Sequence, residues 1–267
     1  MRLAAWSVPR VSAVWRRYGW RTALAFVCKE PWLVLRLALL RTASEATFEL
    51  PMPGSAPLGC RPESSDLEAF WQVLVSGEFD FLKGSSRPLR VLDCGANIGT
   101  ATLAILERCP AAVVVAIEPD PGNFAQLEAN TRHLGPRVIC LRAAVWSESG
   151  DLVFDERPYR DGRQWSTRVR AARPGEPGGV LARDLQAIMR EVGWEHVDFV
   201  KMDIEGAETE VLKTAAQWLP SVDCIAVELH DADAVSAFER AVGTQFRIEH
   251  CGELTVATRP RDATCRV

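Results

Sequence analysis

L-R-V-L-D-C-G-A-N-I-G-T-A-T, Leu89 to Thr102, passes from strand to glycine turn to helix. Val91 and Leu92 suit a buried parallel strand. Asp93 arrives where that strand should end, and Gly95 and Gly99 follow. Beyond Gly99, the residues Ala101, Leu103, Ala104, Ile105 and Leu106 set a helical pattern. A strand, a tight glycine turn and a helix open a nucleotide-binding α/β fold. Glycine there admits positive φ and lets a ligand approach the backbone.

The spacing is G-x-N-x-G, not the G-x-G-x-x-G of dinucleotide sites. An acid precedes the two glycines, which suits a cationic or amino-acid end better than a pyrophosphate. The next expected strand, Ala112 to Ile117, runs into Glu118, 23 residues past Gly95. An acid about 20 residues beyond such a turn accepts hydrogen bonds from ribose hydroxyls. An adenosyl ligand without phosphates, held by Asp93 and Glu118, is S-adenosylmethionine. The plainer reading of the same residues is a glycine turn in any doubly wound domain.

A chain of 267 residues has room for one large α/β domain or two small ones. Its net charge of −4 gives no generic attraction to nucleic acid. The balance is uneven: residues 1–41 carry eight Lys/Arg and only Glu30 as an acid, or +7, leaving −11 for the rest. Eight cysteines form no C-x-x-C pair and have no His at metal spacing, so they read as reduced thiols of a cytoplasmic protein.

Residues 1–50 read as two basic helices, from about Ser12 to Lys29 and from Pro31 to about Leu40. No apolar run there reaches the ~18 residues of a membrane span. Two readings stand: a helical cap on the domain or on a second copy, or an interfacial anchor made by Arg and Trp on anionic lipid. Residues 51–63 read as a linker, and 64–267 as the main domain, beginning with a helix over Leu67 to Ser76. Asp120-Pro121 reads as N-cap and first turn of a helix to about His133. Arg137 to Leu141 is a third strand, and a hairpin follows over Asp151 to Phe154 and Ser166 to Val169. The arginine-rich stretch 157–180 is a surface loop or a lid. Val180 to Gly193 reads as helix, Val197 to Met202 as strand, Gly206 to Leu219 as helix. A fifth strand, Val222 to Glu228, precedes a helix over Ala232 to Val242 and two last strands, Gln245 to His250 and Leu254 to Thr258.

Four acids stand at successive strand ends: Asp93, Glu118, Asp203 and Glu228. Ligands in such sheets bind beyond those ends, so the acids form a candidate site. In F-V-K-M-D-I-E-G-A-E, residues 199–208, Asp203 and Glu205 would face the crevice, whereas Glu208 in the first helical turn reads as a cap. A methyl acceptor must lose a proton as it attacks, and a carboxylate or His230 can take it. Asp203, Glu228 and His230 also form a conceivable divalent-metal set, but the spacing demands no ion, and no metal is expected.

V-L-D-C-G-A-N-I-G-T-A-T, I-E-P-D-P-G-N-F, A-A-V-W-S-E-S-G and F-V-K-M-D-I-E-G-A-E together resemble the FkbM family of S-adenosylmethionine-dependent methyltransferases, over about residues 60–230. The K-M-D-I-E-G-A-E string is the more specific part. The resemblance implies an α/β, Rossmann-like class I methyltransferase fold, seven-stranded and mostly parallel with an antiparallel last strand. It implies cofactor contacts at Asp93, Gly95, Asn97, Gly99, Glu118, Asp120 and Ala144, and transfer to a hydroxyl of a sugar or polyketide. Cys94 replaces an aliphatic residue but stays small and apolar.

The expectation is therefore an O-directed methyltransferase using S-adenosylmethionine. Its acceptor would be a small-molecule or glycan hydroxyl, with no nucleic acid, and with membrane contact or self-association confined to residues 1–41. Asp203, Glu205 and His230 would orient or deprotonate the acceptor. The competing classes are a cofactor-binding scaffold tethered by its basic helices and a methyltransferase acting on a macromolecule. The intact acids after the fourth strand disfavour the first. The −11 balance and the lack of an N-P-P-Y-type string disfavour a nucleic-acid substrate.

Overall fold

The computed structural model describes residues 15–17, 47–50, 52, 56–62, 64–82, 88–155, 168–173 and 175–260. Apart from a helical turn at Trp15 to Arg17, the two N-terminal helices expected from the sequence lie outside the described residues. The chain divides into two units, residues 1–77 and 78–267.

In the first unit β1 (Phe48–Leu50) pairs antiparallel with β2 (Leu58–Cys60), so part of the expected linker is strand. Leu50, Leu58 and Cys60 turn inward. Helix α1 (Asp66–Ala69) continues as a π-helical turn, Phe70–Val75. Ser65 makes no side-chain cap. Asp66 instead receives the Arg61 backbone N–H and both arms of its guanidinium, at 2.7–3.0 Å.

In the second unit, β3 (Arg90–Cys94) feeds α2 (Thr100–Arg108), and β4 (Val113–Ile117) feeds α3 (Pro121–Thr131), ahead of β5 (Val138–Leu141). Asp120 caps α3 by accepting the Asn123 N–H, with Pro121 in the first turn. A small sheet follows: β6 (Ala144–Val145), β7 (Gly150–Phe154), β8 (Val169–Ala171) and β9 (Val180–Arg183), in the order β6-β9-β7-β8. Then come α4 (Leu185–Glu191), β10 (Val197–Met202), α5 (Glu208–Leu212), α6 (Ala215–Trp218), β11 (Val222–Glu228), α7 (Ala232–Val242), β12 (Arg247–Cys251) and β13 (Leu254–Thr258).

The main sheet has the order β12-β13-β11-β10-β3-β4-β5. Only β13 runs against its neighbours. This is the seven-stranded, mostly parallel sheet with an antiparallel last strand that the resemblance implies. Strand β10 is buried along its whole length because it is central and covered on both faces. Leu92, Ile117, Val200, Met202, Ile225 and Val227 share one core with Trp218 and Phe238 from the helices. Chain order leaves β3 in opposite directions, toward β4 and toward β10, so the crevice opens above the β3–β10 boundary.

Three expectations need correction. Val180 to Arg183 is strand, not the start of a helix: Val180 and Ala182 point inward and Leu181 outward, and Asp184 caps α4 by accepting the Ala187 N–H. The helix expected over Gly206 to Leu219 is two short ones, broken near Thr214, whose φ of −104° leaves the helical range. Cys60, Cys94, Cys109, Cys140 and Cys251 are free thiols as expected, but Cys224 is disulfide-bonded.

Candidate active site

The loop after β3 is shaped by what it must avoid. A Cβ on Gly95 would lie 1.8 Å from the Asp203 carbonyl oxygen, and its φ is +78°. Only glycine lets this turn rest on the end of β10. The Gly95 and Ala96 N–H groups both donate to the Ile117 carbonyl, which anchors the turn over β4 as well. Asn97 adopts a left-handed φ of +50°, which is uncommon for a residue other than glycine. Its Oδ1 is buried and has no hydrogen-bond partner. Gly99 serves packing: a Cβ there would come within 3.0 Å of Leu127 on α3.

Asp93 is wholly buried. Its Oδ2 accepts the Thr102 hydroxyl at 2.6 Å, and its Oδ1 lies 3.4 Å from Lys201 Nζ. Lys201 donates to the Gly95 carbonyl at 2.6 Å and stands 3.7 Å from Asp203. Burial disfavours the ammonium, but Asp93 and Asp203 outweigh it and raise the Lys201 pKa. One buried cation thus ties the glycine turn to the acids at the end of β10.

Glu118 leaves β4 almost without solvent exposure. It accepts the Asn97 N–H at 2.9 Å and the Asp120 N–H at 2.9 Å, with the Asn123 amide at 3.4 Å. Burial raises its pKa to about 7, against those stabilising hydrogen bonds.

Beyond β10 and β11 a single imidazole sits among four carboxylates. His230 Nε2 is 3.3 Å from Glu228, 3.5 Å from Glu205 and 3.9 Å from Asp203, while Nδ1 is 3.2 Å from Glu208. Burial opposes a charged ring, but Glu208 and Glu228 prevail and push its pKa up to about 11. Ringed in this way, the imidazole can orient the carboxylates around it. Burial raises the Asp203 carboxyl to about 6, Lys201 opposing and Glu228 assisting. Glu205 holds a left-handed φ of +54° just before Gly206, at +90°. A Cβ on Gly206 would come 3.0 Å from the Arg168 guanidinium, so that arginine borders the same turn.

The fold therefore brings Gly95 and Asn97 after β3 together with Glu118 and Asp120 after β4, and Asp203 and Glu205 after β10 together with His230 after β11, with Asp93 behind the first turn. Ala144 lies in β6, packed with Leu152, Val180 and Ala182 of the small sheet. Lys201, Thr102 and the full involvement of Glu208 were not anticipated. For Lys201 the signal was present: a lysine inside the otherwise apolar end of β10.

The methyltransferase FkbM domain family matches residues 93–246. The chain is 33% identical over 169 residues to the hexuronic acid methyltransferase AglP of Haloferax volcanii, covering 61% of this chain and 67% of that protein. It is 26% identical over 158 residues to the 2-O-methyltransferase NoeI of Sinorhizobium fredii, covering 54% and 64%. It thus spans about two thirds of the length of these two relatives. Among solved structures, a precorrin-6y C5,15-methyltransferase from Geobacter metallireducens matches at 10% identity and a TM-score of 0.42, over 69% of this chain and 86% of that one.

Proposed function

Since this chain belongs to the FkbM methyltransferase family and is a methyltransferase, we propose that it moves a methyl group from S-adenosylmethionine to a hydroxyl oxygen of a sugar or related small molecule. The observation that carries this reading is the contact of Gly95 with the Asp203 carbonyl, which sets the glycine turn directly against the acids. The residues at the turn suit the cofactor. Asn97 Oδ1 is a buried acceptor with no partner, matched to an ammonium or hydroxyl donor. Glu118 is placed to accept from ribose while already holding the turn through the Asn97 N–H. Asp93 works from behind, fixing the turn through Lys201 and Thr102.

The bound cofactor would supply an electrophilic methyl on sulfonium. The chain's own part is alignment and proton removal. The hydroxyl proton of the acceptor would pass to a carboxylate of the Asp203–Glu205 pair. His230 holds those carboxylates in place. A sugar acceptor is supported by the two relatives, whose names specify a hexuronic acid and a 2-O position.

The test is incubation of the purified chain with methyl-labelled S-adenosylmethionine and a panel of uronic acids, neutral sugars and their glycans. Label in an ether linkage on a sugar hydroxyl is the expected result. Label on nitrogen, on protein or on nucleic acid instead would overturn it.

A further inference from the structure

The cluster around His230 is dense in carboxylates. Four carboxylates surround one imidazole: Asp203, Glu205, Glu208 and Glu228. Lys201 stands 3.7 Å from Asp203 and is shared with Asp93. A buried carboxylate oxygen is costly unless it is paired or coordinated. Glu208 is the sharpest sign of a missing partner. It has no solvent exposure, and its Oε1 accepts the Ile204 N–H at 3.0 Å. Its Oε2 is buried with no hydrogen-bond partner. A capping role accounts for the first oxygen and not for the second.

The geometry points to a divalent-cation site formed by Asp203, Glu208 and His230. One donor atom from each lies within 4.8 Å of the other two. Two ligands on one oxygen-loving cation, each about 2.1–2.6 Å from it, stand at most about 4.2–5.2 Å apart. The three donors therefore need only small rotations to share an ion. Two carboxylates and an imidazole suit a cation of the Mn²⁺ kind, which accepts oxygen and nitrogen together. Glu228, 3.3 Å from the imidazole, adds charge at the rim.

The site lies where the acceptor hydroxyl would stand, and in this respect it rests on the methyl-transfer reading. A cation there would polarise the acceptor oxygen and ease loss of its proton. Asp203 and His230 would then be ligands, the imidazole releasing its proton to solvent as the ion binds, and Glu205 would remain to take the acceptor's proton.

The experiment titrates MnCl₂ into the full chain after chelator treatment, without cofactor or sugar. Free Mn²⁺ is followed by its six-line electron paramagnetic resonance signal and binding by calorimetry. One Mn²⁺ per chain at micromolar affinity is expected, weakened at least tenfold in Glu208→Gln and in His230→Gln. The second carboxylate–imidazole group, His196, Asp198 and Asp223, lies at the other end of β10 and β11. His196→Asn should leave Mn²⁺ affinity unchanged. No stoichiometric binding by the unaltered chain would overturn the site, as would a loss confined to His196→Asn. Calorimetry with S-adenosylmethionine on the same metal-free protein keeps the two readings apart. Cofactor binding without Mn²⁺ binding removes the cation alone, and Mn²⁺ binding without cofactor binding removes the methyl-transfer reading alone.

Discussion

Glu118 braces the glycine turn and, in the proposed function, also accepts from ribose, and its pKa shows the tension. Its carboxyl titrates at about 7 in the fold against 4.5 ordinarily, because burial penalises the charge. The folded chain thus binds this proton more tightly than the unfolded chain does. This group's effect on stability is most favourable below pH 4.5, declines up to about pH 7 and is flat above. The decline is worth about 3 kcal/mol at most. Urea unfolding at pH 5 and pH 8 should show Glu118→Gln losing about 2.5 kcal/mol less than the parent between the two; an equal loss would assign the decline elsewhere. Asp203 has a different task. Asp203→Ala should lower the single-turnover rate by about 100-fold or more while changing S-adenosylmethionine affinity little. Glu118→Ala should do the reverse, weakening the cofactor about tenfold. Calorimetry beside single-turnover kinetics separates them, and an inverted pattern would exchange the two roles.

At the scale of elements, the seven strands of the main sheet were legible because apolar runs ending in an acid or a turn have few other readings. Val197–Met202, Val222–Glu228 and Leu254–Thr258 stand where the sequence put them. The small sheet was only partly legible. Val180–Arg183 alternates over four residues, too few to separate a strand from a helix start by pattern. The site divided in the same way. Acids at strand ends could be read off the chain, but the tie between turn and acids depends on Lys201 crossing from β10 to β3, which no spacing reveals. Lys201→Met should cost about 3–5 kcal/mol in denaturant unfolding, since it leaves Asp93 buried without its cation. Asp93→Asn added to it should recover part of that loss, and a purely additive pair would show that the two do not interact. The loop after β10 stores strain of another kind. Glu205→Gly relieves a left-handed backbone that costs a side-chain-bearing residue about 1–2 kcal/mol. The variant should melt at or above the parent temperature while turning over at least tenfold more slowly. A lower melting point would mean that the Glu205 side chain contributes more to folding than its backbone takes away.

For the molecule as a whole, charge is segregated along the chain, +7 in residues 1–41 against −11 in the remainder. No helix among the described residues is long and apolar enough to cross a membrane. A basic, tryptophan-bearing segment on an acidic body should draw the protein to anionic vesicles at low salt. Sedimentation with phosphatidylserine liposomes should fall on deletion of residues 1–41 and on raising the salt; pelleting that survives the deletion would place the attraction elsewhere.

The missing methyl at Gly95 has an outcome for anyone who would repurpose this protein. Since the shelf after β3 is pressed onto the main chain at the end of β10 with no room for one more carbon, the two cannot be re-spaced to suit a bulkier customer. Redesign has to work from the flank that Arg168 presents to Gly206, where a side chain rather than the main chain sets the clearance. Libraries that randomise the seam itself would return mostly unfolded protein.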